Sequence, residues 1–308
     1  MIEDTEKGPQ IWAVGGGKGG TGKSFATCNM ATCLAAKGIK TIIIDADFGG
    51  ANLHTLVGVS KSQKSLADFF SNKAVLNELI VDTKIENLRI IVGPLRYFEP
   101  ESIKYTQKTK LFNHIKQLQA DIIIIDLGSG THFNIVDTFL LADKKVVVTL
   151  PQITALENMF SFLNNAFFRC LNRAFNENKL GYIFKNTLEE KAGYEVGNLR
   201  QFVALLKQKA VEASDIIDDE LSKYMVNIII NQAKTSKDIL LGNQVRSLCI
   251  KYLGFKANYI GYIEQDDTIP IAINKQQPYF QMYPKSRCAT KIEKITLNLL
   301  ENKQMRVQ

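Results

Sequence analysis

Seven short apolar runs recur along the chain without polar interruption, at residues 11–16, 41–45, 88–92, 122–126, 146–150, 226–231 and 258–263. Runs this short, rich in Ile and Val, read as strands covered on both faces. Helical patterns lie between them, over 23–37, 103–119, 133–141 and 236–253. The alternation predicts an α/β fold: a three-layer, mostly parallel β-sheet with helices on both faces.

One stretch breaks the rhythm. Residues 154–223 hold no convincing strand, and Phe160, Phe162, Phe167, Phe168, Phe175, Phe184 and Phe202 fall there among polar and basic positions. The stretch predicts two to four helices forming a helical insertion. Its aromatics serve either core packing, their commonest use, or a partner surface. With no internal repeat, low-complexity tract or Pro/Gly linker, residues 1–308 read as a single domain.

Composition narrows the class. Apolar residues make up 45% and charged residues 22% of the 308, which suits a globular protein with a substantial core. No apolar run approaches the roughly 18–20 residues of a membrane span. Residues 1–10 are polar and hold three acids, unlike a secretory signal, so a cytoplasmic protein is expected. Cys28, Cys33, Cys170, Cys249 and Cys288 form no Cys-x-x-Cys pair, and their odd count argues against a disulfide framework or zinc site. The net charge of +7 suits either a solvated surface or attraction to nucleic acid or anionic lipid.

The chemistry begins after the first run. Gly17-Lys18-Gly19-Gly20-Thr21-Gly22-Lys23-Ser24 fits G-x-x-x-x-G-K-[ST], with an expected strand before it and a helix after it. Glycines let the backbone curl around phosphate oxygens, and the exposed N–H groups with the helix N-terminus face the anion. ATP and Mg²⁺ are the expected ligands. Lys23 should reach the β- and γ-phosphates, and the Ser24 hydroxyl should hold Mg²⁺. Phe25 completes the run expected to contact the nucleotide.

The motif places no demand on residue 18, yet a second lysine stands there. Lys18 to Ser24 resembles the deviant Walker A loop of the MinD/ParA group of P-loop NTPases. The resemblance implies that Lys18 crosses a dimer interface to the partner's nucleotide; a solvated lysine is the bland alternative. Asp45-Ala46-Asp47-Phe48-Gly49-Gly50-Ala51-Asn52-Leu53 resembles the group's switch I. That match implies that Asp47 orients the attacking water and that Asp45 supports the loop and metal shell. Four isoleucines ending in Asp126 look like a Walker B strand, so Asp126 is expected to hold Mg²⁺ through water. Gly128 and Gly130 would then belong to switch II. Asp47 and Asp126 could instead merely cap the following segments. By the same resemblance Asn231 meets the adenine edge, and residues 268–270 line the base.

The expected function is an ATP-dependent dimerising switch that hydrolyses Mg-ATP slowly and acts in spatial regulation, at the division site or in flagellar placement. Residues 47–53 look more like MinD and FlhG than ParA, although residues 1–10 are too short for the helical arm usual in FlhG. The alternative is a ParA-like partition ATPase that binds nonspecific DNA in its ATP dimer. The protein partner is not legible. Ala289, Ile292, Ile295, Leu299 and Leu300 make an apolar stripe among Lys285, Arg287, Lys291 and Lys294. That pattern suits either a final core helix or a basic helix gripping the inner leaflet of a membrane.

Overall fold

The computed structural model describes residues 8–59, 64–94, 103, 105–191, 199–209 and 211–305. The acidic leader 1–7, the last three residues and part of the helix expected at 103–119 lie outside the described residues. The elements run β1 (Gln10–Gly15), α1 (Lys23–Ala36), β2 (Thr41–Ala46), α2 (Leu53–Leu56), α3 (Leu66–Phe70), β3 (Ile80–Asp82), β4 (Leu88–Ile91) and α4 (Tyr105–Ile115). Then come β5 (Ile122–Leu127), α5 (Phe133–Leu141), β6 (Lys144–Thr149), α6 (Ile153–Glu177), α7 (Gly181–Lys191), α8 (Leu199–Lys209) and α9 (Val211–Lys223). The chain closes with β7 (Met225–Ala233), α10 (Ser236–Leu248), a π-turn (Cys249–Leu253), β8 (Lys256–Glu264), α11 (Ile269–Asn274), α12 (Tyr279–Met282) and α13 (Arg287–Leu300).

Eight strands form one sheet in the order β3-β4-β2-β5-β1-β6-β7-β8. Neighbours run parallel, except that β3 is antiparallel to β4. All seven strands expected from the apolar runs are present. The eighth, β3, is a three-residue edge strand whose Ile80-Val81-Asp82 is too short to leave a pattern.

The unbroken isoleucine runs follow from burial on both faces. Successive strand side chains point to opposite faces. Ile123 and Ile125 join one cluster with Phe139, Phe162, Phe167 and Leu171. Ile122 and Ile124 join another, with Met30, Leu34, Ile292 and Ile295. Helices α1 and α13 thus cover one face, and α5 and α6 cover the other.

The described residues of 153–223 form four successive helices, α6 to α9. Phe162, Phe167, Phe175, Phe184 and Phe202 are buried, and Phe160 and Phe168 are half-buried against the same cluster that holds the sheet. Their rings interlock, with Phe168 and Phe202 centred 4.8 Å apart and Phe184 and Phe202 5.2 Å apart. These aromatics fill the core. All five cysteines are free and buried.

Of the two readings of α13, the core helix is the one the packing supports. Cys288, Ala289, Ile292, Ile295 and Leu299 are buried where the helix docks on the sheet beside α1, so the apolar stripe is already covered. Lys291 lies over the Tyr262 ring, 5.0 Å from its centroid. Among the described residues no helix is long and apolar enough to cross a membrane.

Candidate active site at the phosphate loop

Strands β1, β2 and β5 lie side by side at the middle of the sheet, and their carboxyl ends meet. Asp126 pairs in register with Val14 on one side and Asp45 on the other. The order of connection reverses here, since β1 leads through α1 to β2 beyond β5. Such a reversal opens the crevice where ligands bind in open α/β sheets.

The loop of residues 16–22 crosses this crevice and enters α1 at Lys23. Gly22 takes φ +90°, a left-handed conformation that glycine adopts without steric cost. A Cβ there would also lie 2.0 Å from Asn231 Nδ2. At Gly17 a Cβ would meet the Asn158 carbonyl of α6 at 1.9 Å. The glycines therefore serve close approach from the protein side as well as curvature.

Lys23 is buried beneath the loop and donates to the Lys18 carbonyl at 3.3 Å. Burial lowers its pKa, and the charges of Asp126 and Asp47 offset part of that fall. Asp126 accepts from Thr27 Oγ1 at 3.2 Å, and the nearby Ser24 hydroxyl favours its charged form. Burial, reinforced by the neighbouring Asp45, raises the Asp126 carboxyl to about 7. Asp45 is fully buried; its oxygens accept the N–H groups of Asp47 at 3.1 Å and Leu53 at 3.0 Å. Burial raises it to about 6 against those bonds. Asp45 thus shapes the 47–53 loop with its own oxygens.

Asp47 accepts from the Gly49 N–H at 3.0 Å and lies against Gly128. Ser129 faces Gly19 across the crevice. The two loops matched to switches I and II therefore meet beside the phosphate loop. Lys18 is exposed, with its Nζ 3.4 Å from Thr154 Oγ1 at the start of α6. Phe25 turns its ring toward Tyr279, with centroids 6.0 Å apart, so its offering to the crevice is backbone.

Asn231 packs against the phosphate loop. It is buried at the end of β7, donates to the Thr21 carbonyl at 2.8 Å, and accepts from the Gln232 N–H at 2.9 Å. Its amide nitrogen thus ties the end of β7 to the phosphate loop, while its oxygen is held by its own strand.

Sequence reasoning missed several contributors. Thr27 stands three residues after Ser24, a spacing that puts both on one helix face and could have revealed it. Asn158 and Thr154 touch the loop from over 130 residues away, and nothing in the local sequence signals that. The residues present suit Mg-ATP. The buried Thr21 hydroxyl has no hydrogen-bond partner, a buried ammonium lies under the loop, and a hydroxyl–carboxylate pair of hard oxygens stands beside it.

Comparison with known proteins agrees with this arrangement. The family described as "AAA domain" matches residues 9–178, more than half of the chain. Septum site-determining protein MinD of Buchnera aphidicola subsp. Schizaphis graminum is 31% identical over 153 residues, covering 48% of this chain and 56% of that protein. The match thus spans about half the length of that curated relative. Among solved structures, Pyrococcus horikoshii MinD complexed with Mg-ADP superposes with a TM-score of 0.61 at 20% identity, covering 94% of each chain. A ParA family ATPase from Chlorobium tepidum superposes at 0.62 and 17% identity, covering 95% of this chain and 99% of that one. These two show a shared fold. The chain belongs to the family described as "AAA domain".

Proposed function

We propose that this protein is an ATP-driven dimerising switch that hydrolyses Mg-ATP and acts in spatial regulation of the MinD kind, as a single domain carrying α6 to α9 as an insertion. The observation that carries the reading is the division of labour between two lysines. Lys23 is buried among Asp126 and Asp47, while Lys18 stands exposed on the rim. Phe133 and Ile153, 63% and 76% exposed, open α5 and α6, so apolar surface stands on the helices flanking the switch II loop and Lys18. A paired subunit would cover it.

The geometry is compatible with the following roles. Loop N–H groups and the start of α1 cradle the phosphates. Lys23 turns from the Lys18 carbonyl to a phosphate oxygen. Ser24 and Asp126 would hold magnesium, which would supply positive charge to offset the phosphates. Thr27 fixes the Asp126 rotamer. Asp47 orients the attacking water, and its backbone is held by Asp45. Lys18 offsets charge on the partner's nucleotide. The Mg-ADP bound in the Pyrococcus protein supports the choice of nucleotide.

Light scattering with and without ATP tests the reading. The native chain should double in mass with ATP. Lys18→Ala should bind ATP but stay monomeric, and a Lys18→Ala variant that pairs as the native chain does would remove the dimer from the account. The sequence match to MinD over 153 residues favours the division-site branch over DNA partition. ATP-dependent, salt-sensitive binding to nonspecific duplex would reverse that choice.

A further inference from the structure

A second concave site lies at the other end of the sheet. The π-turn Cys249–Leu253 leads through Gly254, at φ +81°, into the amino end of β8. The phosphate loop leaves the carboxyl end of β1, and β1, β6, β7 and β8 run parallel. The π-turn and the nucleotide crevice therefore occupy opposite ends of the strands. Between the π-turn, α8 and α9 lies a groove of about 750 Å³. That is within the range of about 300–1,000 Å³ typical of ligand pockets.

Val203, Leu221 and Ile250 give the groove an apolar lining, and Arg200, Lys207 and Lys251 stand around it. Ile250 is 42% exposed and its neighbour Tyr252 44%, although both are large and apolar and adjoin a well-packed core. A regular continuation of α10 would set these side chains differently. The π-turn changes their direction, and π-bulges in helices commonly mark functional positions. Lys207 pairs with Asp218 on α9, so its charge is partly matched. Arg200 donates to the Lys251 carbonyl at 3.5 Å, and the Lys251 ammonium lies over the Tyr252 ring, 5.3 Å from its centroid. No acidic side chain lines the groove among the described residues.

We propose that this groove docks an acidic amphipathic helix of a partner protein. Apolar side chains spaced one turn apart would enter between Val203, Leu221 and Ile250, and carboxylates on the flanks would meet Arg200 and Lys251. This is the helix-in-groove mode of recognition. Charge complementarity selects an acidic partner over a basic one. The concavity favours a peptide over a membrane, which would need the apolar side chains to project. The site assigns α8 and α9 a role apart from nucleotide chemistry, at a surface left accessible when the phosphate-loop face is engaged.

The test uses the full-length chain and a displayed library of random 16-residue peptides. Enriched peptides should carry Asp or Glu beside bulky apolar residues at helical spacing. Their affinity should fall at least tenfold for Arg200→Glu/Lys251→Glu and for Ile250→Asp, with ATP binding unchanged in all three proteins. Both variants alter exposed positions, and matched thermal melts would confirm their folding. No enrichment, enrichment without acidic bias, or equal binding to the double variant would overturn the proposal. Flotation with anionic phosphatidylserine vesicles, lost in the same variants and without peptide enrichment, would assign the surface to lipid instead. None of these outcomes depends on Lys18 or on dimer formation.

Discussion

Asp47 and Gly128 approach so closely that a methyl group at residue 128 would lie 2.9 Å from the Asp47 carboxylate oxygen. The loop of residues 47–53 is thus seated directly on the loop after β5, and an added methyl group there must push the Asp47 side chain aside. Gly128→Ala must displace Asp47 while leaving Lys23, Ser24 and the loop amides in place. Misplacing a catalytic group by about 1 Å can cost roughly 100-fold in rate. Phosphate release should therefore fall about 10- to 100-fold, with fluorescent-nucleotide affinity nearly unchanged. Native turnover in Gly128→Ala would show that Asp47 does not orient the water.

Asn231 offers a different separation. Its amide ties β7 to the Thr21 carbonyl. Asn231→Ala removes that donor and leaves a buried carbonyl unsatisfied, at a cost of about 1–3 kcal/mol. ATP and GTP affinity should drop together, because the damage is to the phosphate cradle. Loss of discrimination between the two, measured by competition, would restore the base-recognition role.

Asp137 joins three helices on the sheet face opposite α1. It accepts from Arg169 of α6 at 2.8 Å and from Lys108 of α4 at 2.9 Å. Burial pushes its pKa up, but the bonds to Arg169 and Lys108 win and hold it below its ordinary 3.8. A carboxylate lowered on folding stabilises above its unfolded value and loses that contribution as pH falls through its folded value. Asp137→Asn should therefore cost about 1–3 kcal/mol in urea unfolding at pH 7, since bonds to charged groups are worth that much. The gap between native and variant should shrink progressively below about pH 4. A gap unchanged at pH 3 would mean that packing, not charge, links these helices.

Ile295 on α13 is 1% exposed and presses against Gly261 of β8. Ile295→Ala should cost about 2–5 kcal/mol, the range for emptying a packed core site. Binding to anionic vesicles should not change. A variant that melts normally but detaches from vesicles would return α13 to the membrane.

Much of the architecture was legible because burial on both faces writes itself into composition. The isoleucines of β2 and β5 have no polar alternation to obscure them, and each run marks a strand. The phosphate loop was legible because its chemistry constrains consecutive residues. What stayed hidden depends on tertiary proximity. Three-residue β3 exists only because β4 offers it an edge. Helices α2, α3, α11 and α12 are too short to show a period. Asn158 meets Gly17 through a backbone carbonyl, which any residue type supplies, so no side-chain pattern could betray it. Asn231 was found for the right place in the fold, but its neighbour could not be read, since a strand end says nothing about which loop packs on it.

The contact between Gly17 and Asn158 makes α6 a single strut with one end on the phosphate loop. Its 25 residues extend about 37 Å at ~1.5 Å per residue. Asn158 lies near the front of this rod, and Phe175, at the rear, packs on Phe184 of α7, which in turn meets Phe202 of α8. If the cradle tightens on a triphosphate, the front end must follow or the backbones collide. A tilt of only a few degrees, pivoting near the middle, would shift the rear by about an ångström, given that length. The helices behind the sheet are therefore mechanically within earshot of the phosphates.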